Sequence, residues 1–204
     1  MTNEKIFLHV GCGQNTKNKT TTEFAKCHWT ETRYDIDSRV MPDIVGDMLD
    51  LSEIPDQTYD AVYSSHNIEH LYFHQVPIAL REFLRVLKPS GYLVITCPDR
   101  QSVAELVAED KLTEPVYVSP AGPIEPIDIL YGYRPSLAKG NNYMAHNCGF
   151  TRTVLEHTLN NAGYRATVTL RRKIPFCDLW SVAFKSKSPR EMLEKTARLH
   201  FPVG

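Results

Sequence analysis

The stretch Phe7-Leu8-His9-Val10-Gly11-Cys12-Gly13-Gln14-Asn15 decides the fold, because an apolar run ends there abruptly in Gly-x-Gly. Such a run before a tight turn is typical of a short buried strand. Glycines at its end allow positive φ angles and let a ligand approach the main chain closely. In open α/β sheets, ligands bind at the carboxyl ends of the strands. Residue 16 is Thr, so the third glycine of the dinucleotide fingerprint is missing and a nicotinamide or flavin is not favoured.

The composition of the 204-residue chain fits one globular domain, with 42% hydrophobic and 23% charged residues. A formal net charge of −1 favours neither nucleic acid nor an anionic membrane as a partner. No apolar stretch reaches membrane-spanning length, and residues 1–4 lead into the first strand without a signal peptide. The five cysteines form no Cys-x-x-Cys pair, which is typical of a reduced chain. We therefore expect a cytoplasmic protein.

Strand-like and helix-like segments alternate along the first half of the chain. After the first strand, the sequence predicts strands at 32–37, 43–47, 59–65 and 92–97. Apolar residues at helical spacing predict a helix over 75–87, which ends at Lys88-Pro89-Ser90-Gly91. This alternation is typical of a mostly parallel sheet with crossover helices.

Regular patterns return near the end of the chain. A helix capped by Thr151 or Thr153 precedes two strands at 166–170 and 179–184. These strands are close enough in sequence to pair antiparallel. We interpret Arg171-Arg172-Lys173 between them as a solvated turn.

Residues 100–148 interrupt the alternation, with five prolines among four tyrosines. A long irregular insertion in a compact domain is usually a functional lid or a mobile segment. Because it follows the carboxyl end of the fifth strand, we expect it to cover the ligand edge as a lid. Its tyrosines either line a pocket for an aromatic or sugar-like substrate or pack the insertion onto the domain.

Acidic residues follow two of the predicted strands. Asp35 lies 22 residues beyond Gly13, near the spacing of about 20 residues at which a carboxylate meets a ribose hydroxyl. A carboxylate accepts two hydrogen bonds from a vicinal diol, so this spacing favours a nucleoside ligand. The alternative is that Asp35 and Asp37 are solvated turn residues.

Several of these motifs together resemble the class I S-adenosylmethionine-dependent methyltransferases, and most closely the type 11 methyltransferase-domain group. The resemblance covers residues 6–100. Its motifs are Gly11-Cys12-Gly13, Tyr34-Asp35-Ile36-Asp37, Gly46-Asp47, Tyr59-Asp60-Ala61-Val62, Glu69-His70-Leu71 and Arg85-Val86-Leu87-Lys88-Pro89-Ser90-Gly91-Tyr92-Leu93. It implies that residues 1–204 form a single methyltransferase domain of the α/β class. The expected sheet is Rossmann-like, with seven mostly parallel strands and an antiparallel C-terminal strand.

The resemblance also implies that S-adenosylmethionine is the cofactor and assigns residues to each part of it. These are Gly11, Cys12 and Gly13 for the methionine moiety, Asp35 for the ribose, Ile36, Asp47 and Met48 for the adenine, and Ser65 and His66 for the sulfonium. In methyl transfer, the enzyme mainly aligns an in-line attack on the methyl group and excludes water.

Two departures from the family bear on the site. The family usually has an acidic residue two positions before the first motif glycine, where this chain has His9. The family's usual helices before the first strand are also missing from this sequence. The substrate site is therefore expected from the 100–148 insertion or from the second subunit of a homodimer.

The run His66-Asn67-Ile68-Glu69-His70 allows three interpretations. It matches the inverted zinc-peptidase pattern H-x-x-E-H of a metal-dependent hydrolase. On a helix, residues 66, 69 and 70 would share one face, as metal ligands need, but here the run directly follows a predicted strand. Small-RNA 2′-O-methyltransferases and ubiquinone-pathway O-methyltransferases have Glu-x-x-Glu-His here, with a divalent metal tied to activity and His146 as a further candidate. The favoured interpretation is metal-free, with Glu69-His70 anchoring a helix.

The sequence therefore predicts methyl transfer from S-adenosylmethionine to a small molecule, with oxygen favoured as the acceptor atom by the histidine-rich edge. The predicted catalytic residues are His66 and His146, since an imidazole is suited to general-base chemistry toward a hydroxyl. The alternative is a catalytically inactive regulatory protein that keeps the cofactor site. No nucleic acid or membrane partner is expected.

Overall fold

The computed structural model describes residues 4–202, which form one seven-stranded sheet and a separate two-stranded hairpin. The strands are β1 (Lys5–Val10), β2 (Trp29–Asp35), β3 (Ile44–Val45), β4 (Tyr59–Ser65), β5 (Leu87–Pro98), β6 (Tyr117–Ser119), β7 (Gly122–Ile124), β8 (Ala166–Arg172) and β9 (Asp178–Phe184). The helices are α1 (Val76–Val86), α2 (Arg100–Ala108), α3 (Pro126–Tyr131), α4 (Arg134–Leu137), α5 (Arg152–Ala162) and α6 (Arg190–His200).

The main sheet has the strand order β3-β2-β1-β4-β5-β9-β8. Strands β1 to β5 are mutually parallel, whereas β9 is antiparallel to both of its neighbours. The α/β class, the mostly parallel sheet and the antiparallel C-terminal strand are therefore confirmed. The chain order reverses between β1 and β4, and this is the point at which open α/β sheets bind their ligands.

Apolar cores cover both faces of the sheet. On one face, α1 buries Leu80 and Phe83 and α5 buries Leu155 and Leu159 against the central strands. On the other face, α6 packs with an aromatic cluster that includes Phe24. Within residues 4–202, no helix combines the length and apolar character needed to cross a membrane.

Strand β5 begins earlier than the sequence indicates. Residues 88–91, which are predicted to stop the helix, already belong to the strand, because Leu87 pairs with Tyr59 of β4. The Lys88 ammonium lies 2.8 Å from the Asp60 carboxylate. Pairing with β4 therefore extends the strand through Pro89 and Gly91.

The interpretation of Arg171-Arg172-Lys173 as a solvated turn is wrong for both arginines. Strand β8 runs to Arg172, and Arg171 forms an ion pair with the fully buried Asp99. Arg172 forms an ion pair with Asp178, which is 5% exposed. A buried carboxylate needs a cationic or hydrogen-bonding partner. The two arginines supply these partners, and strand β8 therefore continues through Arg172 instead of ending in a solvated turn.

Residues 100–148 are more regular than expected. They contain α2, the β6–β7 hairpin, α3 and α4. Both ends of the segment meet at one place, where Asp99 and Phe150 form a bridge and the Arg100 N–H donates to the Phe150 carbonyl at 2.9 Å. The segment therefore leaves the sheet at the carboxyl end of β5 and returns to the same place.

Candidate functional site

A cavity of about 500 Å³ lies at the carboxyl ends of β1, β2 and β4, and we call it the larger cavity. All of the residues that the sequence assigns to a cofactor line it. They are Gly11, Cys12, Gly13, Asp35, Ile36, Asp47, Met48, Ser65 and His66. Because these parallel strands end at the same edge of the sheet, they bring together residues that are far apart in the sequence.

The turn after β1 is shaped by two glycines with positive φ angles. At Gly11 φ is +64°, and an added Cβ would lie 2.2 Å from Oδ1 of Asn67. The Asn67 amide donates to the Val10 and Ser65 carbonyls at 3.0 Å, which ties the turn to the end of β4. At Gly13 φ is +53°, and no atom lies within 4 Å of an added Cβ. Gly11 is therefore required by packing, whereas Gly13 borders open space.

The Asp35 carboxylate is held by the main chain. Its Oδ2 accepts the Gly13 N–H at 2.7 Å and its Oδ1 accepts the Asp37 N–H at 2.9 Å. Asp35 is only 9% exposed, so the interpretation as a solvated turn residue is wrong for it. Each carboxylate oxygen can accept more than one hydrogen bond, so Asp35 retains capacity toward the cavity.

Beyond Asp35, the larger cavity has an apolar and an acidic border. Ile36 is 43% exposed, and Asp47 and Met48 line the same cavity from the segment after β3. The Tyr34 hydroxyl donates to the carbonyls of Asp47 and Asp50 at 3.0 and 3.1 Å, which fixes that segment.

Glu31 is a residue that the sequence analysis did not single out. Its Oε1 lies 2.6 Å from Nδ1 of His9, and its Oε2 accepts the Lys17 N–H at 2.8 Å. A carboxylate from β2 therefore sits beside His9, at the place where the family usually has an acidic residue in β1. The signal is weak in the sequence, because the pairing depends on the register of β1 against β2.

A second cavity, of about 170 Å³, adjoins the first, and we call it the smaller cavity. The two cavities share three lining residues, His66, His70 and Met144. The remaining wall comes mostly from residues 117–133 and from the β8–β9 connection. It includes Tyr117, Ile124, Asp128, Ile129, Tyr133, Phe176 and Cys177. Of the four tyrosines in the insertion, Tyr143 lines the larger cavity instead.

Glu69, Asp128 and three histidines are the ionisable acidic and imidazole groups of the smaller cavity, and we call Glu69, His70 and His146 the histidine–carboxylate cluster. Glu69 is fully buried, and His66 Nδ1 lies 3.4 Å from its Oε1. Burial opposes protonation of His66, but the neighbouring Glu69 carboxylate raises the pKa of His66 above its ordinary value. Burial lowers the pKa of His146, so its imidazole is neutral at pH 7.

The two histidines of the cluster share one hydrogen-bond pattern. Nδ1 of His70 lies 3.0 Å from the Ala145 carbonyl, and Nδ1 of His146 lies 2.8 Å from the Ile129 carbonyl. A carbonyl only accepts, so both rings donate from Nδ1 and carry a free lone pair on Nε2. Potential ligand atoms of Glu69, His70 and His146 all lie within 4.8 Å of one another.

The helical geometry behind the peptidase interpretation is wrong. Residues 68–70 form a single 3₁₀ turn, and His66, with a φ of +53°, lies before it. The main-chain N–H groups of Asn147 and Cys148 instead bind the Glu69 carbonyl, which brings His146 beside Glu69. His66, Glu69 and His70 therefore do not present one helix face.

A comparison of the sequence with models of protein families agrees with the fold and the larger cavity described above. Residues 8–95 match the model of a family described as a methyltransferase domain. This segment of 88 residues is similar to a methyltransferase domain. Among curated proteins, no sequence matches the chain.

Solved structures of methyltransferases are similar to most of this chain and not only to residues 8–95. One is a SAM-dependent methyltransferase from Archaeoglobus fulgidus, with 17% identity over 88% of this chain and 85% of that one and a TM-score of 0.58. Another is 1,6-didemethyltoxoflavin-N1-methyltransferase from Burkholderia thailandensis with bound 1,6-didemethyltoxoflavin and S-adenosylhomocysteine, with 14% identity, coverages of 91% and 72% and a TM-score of 0.56.

The citrinin polyketide synthase CMeT domain is similar over 92% of this chain, with 12% identity and a TM-score of 0.57. The chain spans 48% of the length of that protein. At these identities, the structural likeness establishes the class I methyltransferase fold.

Proposed function

We propose that the protein transfers a methyl group from S-adenosylmethionine to an oxygen atom of a small molecule. One observation carries the proposal: the larger cavity, lined by all of the expected cofactor residues, shares a wall with the smaller cavity. The methyl donor belongs in the larger cavity and the acceptor in the smaller one, with His66, His70 and Met144 at the boundary.

The residues around the larger cavity fit this cofactor. Asp35 has spare acceptor capacity on oxygens that the main chain already orients, which suits a ribose diol. Ile36 offers an exposed apolar surface for a purine ring. The open space beside Gly13 lets a ligand approach the main chain. When bound, S-adenosylmethionine supplies a methyl group activated by its sulfonium.

The smaller cavity suits a small acceptor that carries a ring and a hydroxyl group. Tyr117, Tyr133 and Phe176 provide aromatic surface, while His66 and His146 provide imidazole nitrogens. We assign these two histidines to the catalytic machinery: His66, whose Nδ1 faces Glu69, takes up the hydroxyl proton at Nε2 as the oxygen bonds to the methyl group, and His146 positions the acceptor. Orientation is the main contribution of the protein to an in-line transfer.

The smaller cavity also favours an enzyme over a regulatory protein that only binds the cofactor. A cofactor sensor has no need of a second cavity beside the sulfonium end of its site. Here that cavity contains polar groups among aromatic side chains, which is the usual composition of a small-molecule site.

Calorimetric titration with S-adenosylhomocysteine tests the cofactor site. We expect saturable binding that Asp35→Ala weakens about tenfold to a hundredfold, because hydrogen bonds to a charged group are lost. Ile36→Asp is the second variant, since Ile36 is exposed and its replacement leaves the fold intact. The matched control is Asp110→Asn, an exposed aspartate outside both cavities. Absence of binding to the wild-type protein, or equal binding by Ile36→Asp, would contradict the assignment.

Acceptor pairs that differ only in the attacking atom test the preference for oxygen. Small aromatic and sugar-like compounds carrying either a hydroxyl or an amine at the same position are incubated with S-adenosylmethionine. We expect S-adenosylhomocysteine to form with the hydroxyl members, and His66→Asn to lower kcat more than it changes KM. Turnover confined to the amines overturns the oxygen assignment.

A further inference from the structure

We propose that the histidine–carboxylate cluster, Glu69, His70 and His146, binds a divalent transition-metal cation at the boundary of the two cavities. Potential ligand atoms of the three residues lie within 4.8 Å of one another, which one ion can bridge. All three residues line the smaller cavity, so the remaining coordination positions of the ion are open to an acceptor.

The first observation is the state of the Glu69 carboxylate. Glu69 is 0% exposed, and among the residues that the structure describes neither of its side-chain oxygens accepts a hydrogen bond. Leaving a buried carboxylate without hydrogen bonds is strongly unfavourable. A bound cation satisfies both the negative charge and the free lone pairs.

The second observation is the orientation of the two imidazoles. Histidines that bind metals usually donate their other ring N–H to a carbonyl or carboxylate, which fixes the tautomer and the ring. His70 and His146 both do so, through Nδ1 to the carbonyls of Ala145 and Ile129. Nε2 of each ring is therefore the available donor atom.

The third observation is that the main chain holds the ligands together before any ion binds. The N–H groups of Asn147 and Cys148 donate to the Glu69 carbonyl at 2.9 and 3.2 Å. The side-chain amide of Asn147 donates to the His70 carbonyl at 2.8 Å. These bonds join the turn at 68–70 to the segment that carries His146. A preformed site loses less conformational entropy when the ion binds.

Nearby cations leave Glu69 available. Arg100 donates through two guanidinium nitrogens to the carbonyls of Ile129 and Cys148. Among the described residues, the one ion pair of the Glu69 carboxylate is with His66, whose Nδ1 lies 3.4 Å from Oε1 and whose side chain is 47% exposed. The rival explanation is therefore that His66 alone neutralises Glu69 and no ion binds.

The donor set also indicates which metals fit. Two imidazoles and one carboxylate with open positions are typical of sites for Mn²⁺, Fe²⁺, Co²⁺ or Zn²⁺. Mg²⁺ and Ca²⁺ prefer sets made of oxygen ligands. On the proposed function, on which this role rests, the ion holds the acceptor oxygen through its open positions and orients it toward the methyl donor.

Co²⁺ is the probe for the test, because its visible absorption reports on its ligands. Protein treated with a chelator is titrated with Co²⁺, with calorimetry and absorption spectra recorded together. We expect one equivalent per chain and new absorption bands. Glu69→Gln and His146→Asn are expected to weaken binding at least about a hundredfold, since each removes a ligand. His157→Asn, an exposed histidine on α5, is the matched control and is expected to bind normally.

S-adenosylhomocysteine is titrated into the same samples, so that the two proposals fail separately. A variant that still binds S-adenosylhomocysteine but not Co²⁺ is folded and has lost only the metal site. If Glu69→Gln does not fold, His146→Asn supplies the comparison. No Co²⁺ binding to the wild-type protein, or undiminished binding to both variants, overturns the metal site and favours neutralisation by His66.

Discussion

The two cavities share a wall but are built in different ways. The larger cavity consists mostly of short stretches at strand ends, 10–13, 34–37, 46–49 and 65–67, and also includes residues 141–144 and 147 of the insertion. The smaller cavity combines the turn at 68–70 with the β6–β7 hairpin, α3 and the β8–β9 connection. The larger cavity therefore depends mainly on sheet register and turn conformation, whereas the smaller one depends mainly on how residues 100–148 pack onto the domain.

This difference predicts that substitutions affect the two cavities separately. The framework of the larger cavity lies within the segment that matches the methyltransferase family, residues 8–95. Most of the smaller cavity lies outside that segment. We infer that the first holds what is common to many methyltransferases and the second determines the acceptor.

Gly11→Ala should have the largest effect. The new Cβ meets Asn67 at 2.2 Å in a left-handed conformation, so we expect a loss of about 3 kcal/mol in the free energy of unfolding. S-adenosylhomocysteine binding should be lost as well. Gly13→Ala is the control, because it has the same sign of φ and no neighbour within 4 Å. It should cost about 1 kcal/mol. Urea unfolding of both variants measures the difference, and equal losses would argue against a packed Gly11–Asn67 contact.

Arg100→Met should have a smaller effect, confined to the smaller cavity. Its guanidinium donates to the carbonyl of Ile129, which lines that cavity, and to the carbonyl of Cys148. We expect a loss of about 2 kcal/mol in stability and weaker Co²⁺ binding. The affinity for S-adenosylhomocysteine should stay within about twofold, since the contacts of Arg100 lie outside the larger cavity. Arg152→Met, at an exposed position on α5, is the control. A tenfold loss of S-adenosylhomocysteine affinity would show that the cavities are not independent.

The sequence predicted the larger cavity well, because its signals are local. Gly11 and Gly13 mark a turn at a strand end, and Asp35 follows the next strand at a spacing that parallel pairing converts into a contact. The mostly parallel α/β sheet was predicted from the alternation of strands and helices, whereas the order of its strands was not. The roles of the lining residues in cofactor binding stay predictions until a ligand is measured.

The smaller cavity could not be predicted in the same way, because its contacts join distant parts of the chain. The assignment of Arg171 and Arg172 to a solvated turn failed because the partners that bury them, Asp99 and Asp178, are recognised only in the folded protein. The peptidase interpretation requires a helix at residues 66–70, but residues 68–70 form a short turn in which the Glu69 carbonyl accepts the main-chain N–H groups of Asn147 and Cys148. The spacing of apolar residues in the sequence does not indicate such contacts.

A crystal structure of the protein with S-adenosylhomocysteine tests the division between the two cavities most directly. We predict that the nucleoside lies along Asp35 and Ile36 in the larger cavity, with the sulfur at the wall formed by His66, His70 and Met144. The smaller cavity should then open directly onto the sulfur. A ligand bound elsewhere, or a sulfur directed away from that wall, would contradict the assignment of donor and acceptor to the two cavities.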